Sequence, residues 1–233
     1  MNHKAIGIIP ARGGSKRIKD KNLVELCGKP LIVHSILSAK KSKYLNGSVY
    51  VSTEDKNIAC ISQKYGARII QRPINLAGDN STTLSVLQHA VRKLEDEGLG
   101  FDTVVLLQAT CPFRRVSTIN NGIRKHWANW EKLDAVFSVK QSKFPPNWLL
   151  RIVNEKLEFI LPNDFSKIRG QDLEKTYEFD GVLYVLKKDL INNVKFYPFS
   201  HDKTSYLITG KIESIDIDIM EDLEIARALF KYL

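Results

Sequence analysis

Cysteine is scarce in this chain of 233 residues: Cys27, Cys60 and Cys111 are all there is, and no CxxC pair occurs. An odd count without metal-ligand spacing argues against a disulfide framework or a zinc knuckle and fits a reducing compartment. Five histidines fall into no HxxxH or HExxH pattern, which disfavours a zinc enzyme. Neither GxxxxGK[ST] nor GxGxxG is present, so the familiar phosphate and dinucleotide fingerprints are missing. No apolar run approaches the ~20 residues that span a bilayer, and the first is too short for a secretory leader. The expected location is therefore the cytoplasm. No fixed-period repeat or low-complexity tract appears. Acidic residues are also in deficit, 26 against 35 basic ones, for a formal charge of +9. That balance suits acidic partners such as nucleic acid, an anionic membrane or a phosphorylated small molecule, or serves solubility alone.

What is present alternates in period. Ala5 to Ile9, "SVYVSTED", "ARIIQRP", "DTVVLLQ" and "LDAVFSVKQ" read as strands. Between them, Leu31 to Ala39, Lys56 to Tyr65, Ser81 to Glu97 and Val116 to Trp130 read as helices. Leu84, Leu87, Val91 and Leu94 lie three or four apart, and Gly98 is a stop. Strands alternating with helices predict an α/β fold with a doubly wound, mostly parallel sheet. The texture changes at "SKFPPNW". "WLLRIVNEKLEFIL" reads as a hairpin around Asn154 to Lys156, followed by a polar stretch. Residues 142–178 are accordingly read as an inserted arm, with 1–141 and 179–233 as one core. "GVLYVL", "SYLITG", "ESIDID" and a closing helix from Glu221 to Tyr232 complete it.

The first strand runs into "ARGGSKRIKDKN", where Arg12, Lys16, Arg17, Lys19 and Lys21 crowd around Gly13 and Gly14. Glycines let the backbone approach a ligand, clustered N–H groups attract anions, and the cations add full charge. A polyphosphate site and a solvated basic turn both fit. "SIDIDIMEDL" places Asp216 and Asp218 on one side of an extended segment. Two carboxylates there suit Mg²⁺, while Asp218 with Glu221 also reads as a helix cap. Ser81, Thr82 and Thr83 read as caps of the long helix. Cys111 has no histidine placed to activate it and reads as a small turn residue. Arg114 reads as structural or phosphate-facing.

"IIPARGGSKRIKDKNL" closely resembles the opening motif of the acylneuraminate cytidylyltransferases, the CMP-sialic acid synthetase family. The resemblance continues through "GKPLI", "VSTED", "RPINLAGDNSTT", "LLQATCPFR", "FDGVLYV" and "SIDIDIMEDL", and thins in the arm. It implies a Rossmann-like nucleotidyltransferase that moves CMP from CTP to the anomeric hydroxyl of a nonulosonic acid of sialic, legionaminic or pseudaminic type. Under it, Arg12, Lys21, Asp216 and Asp218 are catalytic. Ala11, Arg12, Gly13, Gly14, Ser15, Lys16, Lys21, Asn22, Arg72 and Thr83 bind nucleotide. Gln108, Arg169 and Asp180 face the sugar, and Asp216 and Asp218 hold Mg²⁺ or Mn²⁺.

Two departures stand out. Ala109 and Cys111 replace the family's proline and serine, and Asp180 replaces its asparagine. A carboxylate accepts where an amide also donates, so Asp180 signals either a different sugar or a neutral change at a turn. The resemblance also implies a homodimer whose arm lines the partner's sugar pocket, since Trp148, Leu149, Leu150, Leu157, Phe159 and Ile160 have little local core to cover. The competing readings are a CMP-KDO synthetase-like enzyme and, from another class, a nucleic-acid-binding module. No nucleic-acid signature accompanies the charge, and no membrane partner is expected.

Overall fold

The computed structural model describes residues 3–161, 174–193 and 201–231. The chain opens with β1 (Ala5–Pro10), the short pair β2 (Glu25–Leu26) and β3 (Lys29–Pro30), and α1 (Leu31–Lys40). It continues through β4 (Val49–Thr53), α2 (Lys56–Lys64), β5 (Arg68–Gln71), α3 (Thr83–Asp96), β6 (Thr103–Leu106), α4 (Val116–Ala128) and β7 (Ala135–Gln141). After the arm's β8 (Leu150–Val153) and β9 (Lys156–Phe159) come β10 (Tyr177–Lys187), α5 (Lys188–Asn193), β11 (Thr204–Ile208) and α6 (Met220–Phe230). The sheet order is β11-β7-β10-β6-β1-β4-β5. Neighbours are parallel except where β10 runs antiparallel to both β6 and β7.

Alternation along the strands decides which helices lie on which face. Ile9, Val105, Val136 and Val185 point to one side and pack against Ile36 of α1, Ile58 of α2 and Ile119 of α4. Ile6, Ile8, Val104, Leu106 and Tyr184 point to the other, against Leu87, Val91 and Leu94 of α3 and Ile191 of α5. Fully burying each such Ile or Leu contributes roughly 1.5–3 kcal/mol, so both faces must be covered and the sheet is doubly wound. Two helix starts follow the expected chemistry. Asp55 accepts from Asn57 N (2.7 Å) and Ile58 N (2.9 Å) at α2, and Thr82 Oγ1 accepts from Ser85 N (3.1 Å) at α3.

A third, smaller core decides the geometry of the site. Ile18, from the basic loop, is buried with Leu26, Leu31, Ile217 and with Leu223 and Ala226 of α6. Ile217 lies between Asp216 and Asp218, so burying these two isoleucines together brings opposite ends of the chain to one place. Arg227 Nη2 donates to Glu25 O (2.8 Å) and pins α6 further. The segment before α6 is not the strand that its alternation suggests: it is an irregular loop held by Ile217 N donating to Thr110 O (2.9 Å). The inward-outward alternation survives without a ladder.

The arm leaves the sheet where β7 and β10 separate, with Ser142 N donating to Thr176 O (2.9 Å). Its hairpin pairs Leu150 with Phe159 and Val153 with Lys156, around Asn154 and Glu155 at positive φ. Ile152 is 77% and Leu157 69% exposed.

Candidate active site

A cleft of about 590 Å³ opens at the carboxyl ends of β1 and β6, between the basic loop and the segment before α6. This is where open parallel sheets place ligands. Arg12, Ser15, Lys16, Lys21 and Asn22 line one wall, Asp218 another, and Gln108 and Thr110 the far end. Lys21 Nζ lies 2.8 Å from Asp218 Oδ1, across 197 positions of sequence, and Arg17 Nη1 lies 3.7 Å from Asp218 Oδ2.

The loop owes its shape to Asn22, whose buried side chain donates to Arg12 O (2.8 Å), and to Gly14 at φ +64°. Gly13 differs from the expectation of a free phosphate-binding amide: its N–H donates to Glu54 Oε1 (2.7 Å). A Cβ there would sit 2.7 Å from Asp55 Oδ2, so glycine is needed for close packing against β4's end. Among the described residues the amides of Gly14, Ser15 and Lys16 have no acceptor, which leaves them available to an anion. Ala11 is buried, with its N–H on Ser52 O (3.0 Å), and supports the loop from behind.

Asp79, within the RPINLAGDNSTT segment, reads from the sequence only as a brace of its turn. It instead bridges the loop, 2.8 Å from Arg12 Nη1 and 2.6 Å from Lys16 Nζ. Hydrogen bonds from Lys16 and Arg12 hold its carboxyl below the ordinary carboxylate range. A carboxylate thus rests where the sequence suggests phosphate. Beside the cleft is a smaller recess of about 250 Å³, lined by Pro10, Arg72, Leu76, Ser81, Thr83 and Val86. Thr83 borders both spaces. Arg72 is buried, donating to Ser52 O (2.6 Å) and Ser52 Oγ (3.2 Å) with Glu54 3.9 Å away. Burial pulls the Arg72 pKa down, and Glu54 opposes that. Glu54, which joins Arg72 to the loop, was missed; its one signal is a carboxylate at the end of a buried strand.

Asp218 is not the helix cap. The N-cap position is Ile219, and Asp222 in the first turn reaches back to accept from Asp218 N and Ile219 N (both 2.9 Å), while the Asp218 carboxylate faces the cleft. Asp216 lies behind it, near Thr110 and Cys111. Burial raises its pKa, a hydrogen bond with Thr110 opposes this, and the nearby Asp218 charge adds to the rise. Burial pushes the Cys111 thiol up to about 12, so it is no nucleophile.

Arg114 is internal, not phosphate-facing. Its guanidinium donates to Val182 O (2.5 Å), Ser35 Oγ (2.8 Å) and Gln108 O (2.7 Å). Among the described residues the Gln108 side chain has no hydrogen-bond partner, and it stands at the cleft. Asp180 does not reach the cleft: its carboxylate is buried and receives Val182 N (2.9 Å) and the hydroxyls of Ser138 and Thr209. Arg169 lies outside the described residues.

Known proteins share this fold. The structure of a CMP:2-keto-3-deoxy-manno-octonic acid synthetase complexed with CTP superposes with a TM-score of 0.71 at 19% identity, covering 98% of this chain and 99% of that one. A 4-diphosphocytidyl-2C-methyl-D-erythritol synthase also reaches 0.71, at 14% identity, covering 99% of each chain. At these identities the likeness establishes the fold. The CMP-N,N'-diacetyllegionaminic acid synthase of Legionella pneumophila is 33% identical over 98% of this chain and 97% of its own. A pseudaminic acid cytidylyltransferase of Campylobacter jejuni is 32% identical over the same shares. A family model described as cytidylyltransferase matches residues 6–223, from the first strand to the last helix. The chain therefore belongs to the cytidylyltransferase family.

Proposed function

We propose that this enzyme transfers CMP from CTP to the anomeric hydroxyl of a nine-carbon α-keto acid sugar, of the sialic, legionaminic or pseudaminic acid type, and releases pyrophosphate. The observation that carries the reading is the meeting of Lys21 and Asp218 across a cleft edged by free amides at Gly14 to Lys16. The relatives named for legionaminic and pseudaminic acid supply the acceptor class.

The triphosphate displaces Asp79 from Arg12 and Lys16, whose side chains are already gathered at one place. Arg12 grips phosphate oxygens through its fork, and Lys16 and Lys21 act as point charges. The smaller recess beside Arg72 and Thr83 accommodates the base. The sugar hydroxyl, held toward Gln108, attacks the α-phosphorus, the bond to the β-phosphate oxygen breaks, and the hydroxyl proton leaves to Asp218 or to water. Lys21 offsets charge on the departing pyrophosphate. Most of the rate comes from alignment and preset charge.

The donor set fits Mg²⁺ or Mn²⁺. Among the described residues no group of three or more His, Cys, Asp and Glu could hold a metal. Two carboxylates, Asp216 and Asp218, with substrate oxygens and water are what Mg²⁺ ordinarily accepts. Burial first, and then the neighbouring Asp218 charge, raise the Asp216 pKa, and a divalent cation would favour the ionised carboxylate there. Bound there, the ion would polarise the α-phosphate.

The exposed hairpin of the arm, with Ile152 and Leu157 outward, supports a homodimer. No described helix is long and apolar enough to cross a membrane. Pyrophosphate release measured with CTP, Mg²⁺ and a panel of keto acid sugars tests the reading. Release is expected with a nine-carbon acid; release with only the eight-carbon acid, or with none, rejects it. Light scattering should give a dimer that Ile152→Asp converts to monomer, and a monomeric wild type rejects the assembly.

A further inference from the structure

β10 does not run straight. Its register against β7 shifts between Phe179 and Tyr184, so that Asp180 to Leu183 lie opposite Ser138 alone. Such a bulge costs ladder hydrogen bonds, and here a buried side chain replaces them. Asp180 is 4% exposed. Its carboxylate receives Val182 N (2.9 Å) within its own strand, the Ser138 hydroxyl from β7 and the Thr209 hydroxyl just beyond β11. Ser138 Oγ in turn accepts from Leu183 N (2.7 Å). One carboxylate therefore ties three neighbouring strands at the bulge.

Gly181 takes up the bend at φ +72°. A Cβ on it would lie 3.2 Å from Gln108 Cδ and 3.3 Å from Gln108 Nε2. The Gln108 amide therefore rests directly on the bare backbone of Gly181. Arg114 closes the frame by donating to both Gln108 O (2.7 Å) and Val182 O (2.5 Å). The Gln108 backbone and the bulge are held at a fixed separation, and the side-chain amide between them is left free toward the cleft.

We propose that Asp180 is a positioning residue: by fixing the Gly181 bulge it sets where the Gln108 amide stands and so which hydrogen-bonding groups of the acceptor sugar are read. This rests on the reading above, in which Gln108 meets the acceptor. Asp180 acts on the acceptor without touching it, and the nucleotide half of the cleft is built from other elements.

Two measurements test this. The first is the side-chain amide NMR signal of Gln108, assigned by its loss in Gln108→Ala. In Asp180→Ala it is expected to shift or broaden, and in Asp180→Asn, which keeps an acceptor oxygen, to return near its original place. The second is kinetics with whichever nine-carbon acid the wild type turns over fastest. Asp180→Ala should raise the acceptor KM about tenfold, as expected for ~1.4 kcal/mol of lost binding, with the KM for CTP within about twofold. Thr209→Val, which removes one donor and keeps the volume, should do the same more weakly. In the Gln108→Ala background Asp180→Ala should add little.

An unmoved Gln108 signal in Asp180→Ala overturns the inference, whatever the acceptor. So does a parallel rise in both KM values, which a merely structural role would give. A moved signal with an acceptor KM indifferent to Gln108→Ala supports the positioning and overturns the acceptor role of Gln108 instead.

Discussion

On the wall of the cleft that carries the basic loop, polar side chains are exposed and held by ion pairs. On the wall that carries Gln108, they are buried and held by hydrogen bonds. Lys16 is 78% and Asp79 49% exposed, whereas Asp180 and Arg114 are each 4% exposed. Exposed pairs are worth about 0–1 kcal/mol and exchange readily for another anion. Buried polar groups with full sets of partners are costly to disturb and keep one geometry. The first wall suits a highly charged ligand that brings its own anions, and the second a neutral polar surface that must be told from similar ones.

The contrast can be broken most severely at Lys21, the half-buried exception on the exposed wall. Lys21→Ala should lower kcat by about 10²–10³, the usual cost of losing a preset charge at the reacting group. Thermal melting should stay close to wild type, because Asp218 is half exposed. Pyrophosphate release and a melting curve check both; a kcat within about threefold of wild type removes Lys21 from the machinery.

Stability against pH sharpens the comparison. His126 on α4 is buried beneath the half of the sheet that carries Gln108's supports, and burial lowers its pKa from 6.5 to about 4. The unfolded chain takes up a proton as pH falls through 6.5, while the folded one resists until about 4. Stability is therefore complete above 6.5 and falls on acidification. The loss reaches about 3 kcal/mol by pH 4. Urea unfolding at both pH values should show this loss in the wild type and much less of it in His126→Met.

The smallest effect belongs to the exposed bridge. Asp79→Asn should lower the KM for CTP about two- to fivefold at low salt, because the triphosphate no longer competes with a carboxylate for Arg12 and Lys16. The difference should shrink at high salt. A raised KM would mean that Asp79 orders the loop for binding more than it blocks it.

Much of this was legible from local pattern. Strand and helix periodicity located the elements of the core to within a few residues, because the period of apolar burial is a local property. The basic loop and the aspartates before α6 were legible as parts, because their residue types have few other uses together. Their meeting depends on Ile18 and Ile217 sharing a small core, a contact that no local period encodes. The failures have the same origin. Asp218 reads as a cap until the helix is seen to begin one residue later, with Asp222 accepting from Asp218 N and Ile219 N. Asp180 reads as a sugar contact because it stands where the resembled family has an asparagine, and only the Ser138 and Thr209 hydroxyls, on and just beyond neighbouring strands, make its burial tolerable. Gly13 reads as a free amide until Glu54, on another strand's end, claims it.

The bridge from Lys21 to Asp218 closes a loop of nearly the whole polypeptide. A growing chain displays its basic loop early and must wait for almost everything after it before the opposing carboxylate arrives. On the proposed reading, partly synthesised or carboxyl-terminally clipped chains carry the cations without their counterpart and are expected to bind nucleotide without turning it over. If so, connectivity alone makes completion of synthesis a condition for turnover.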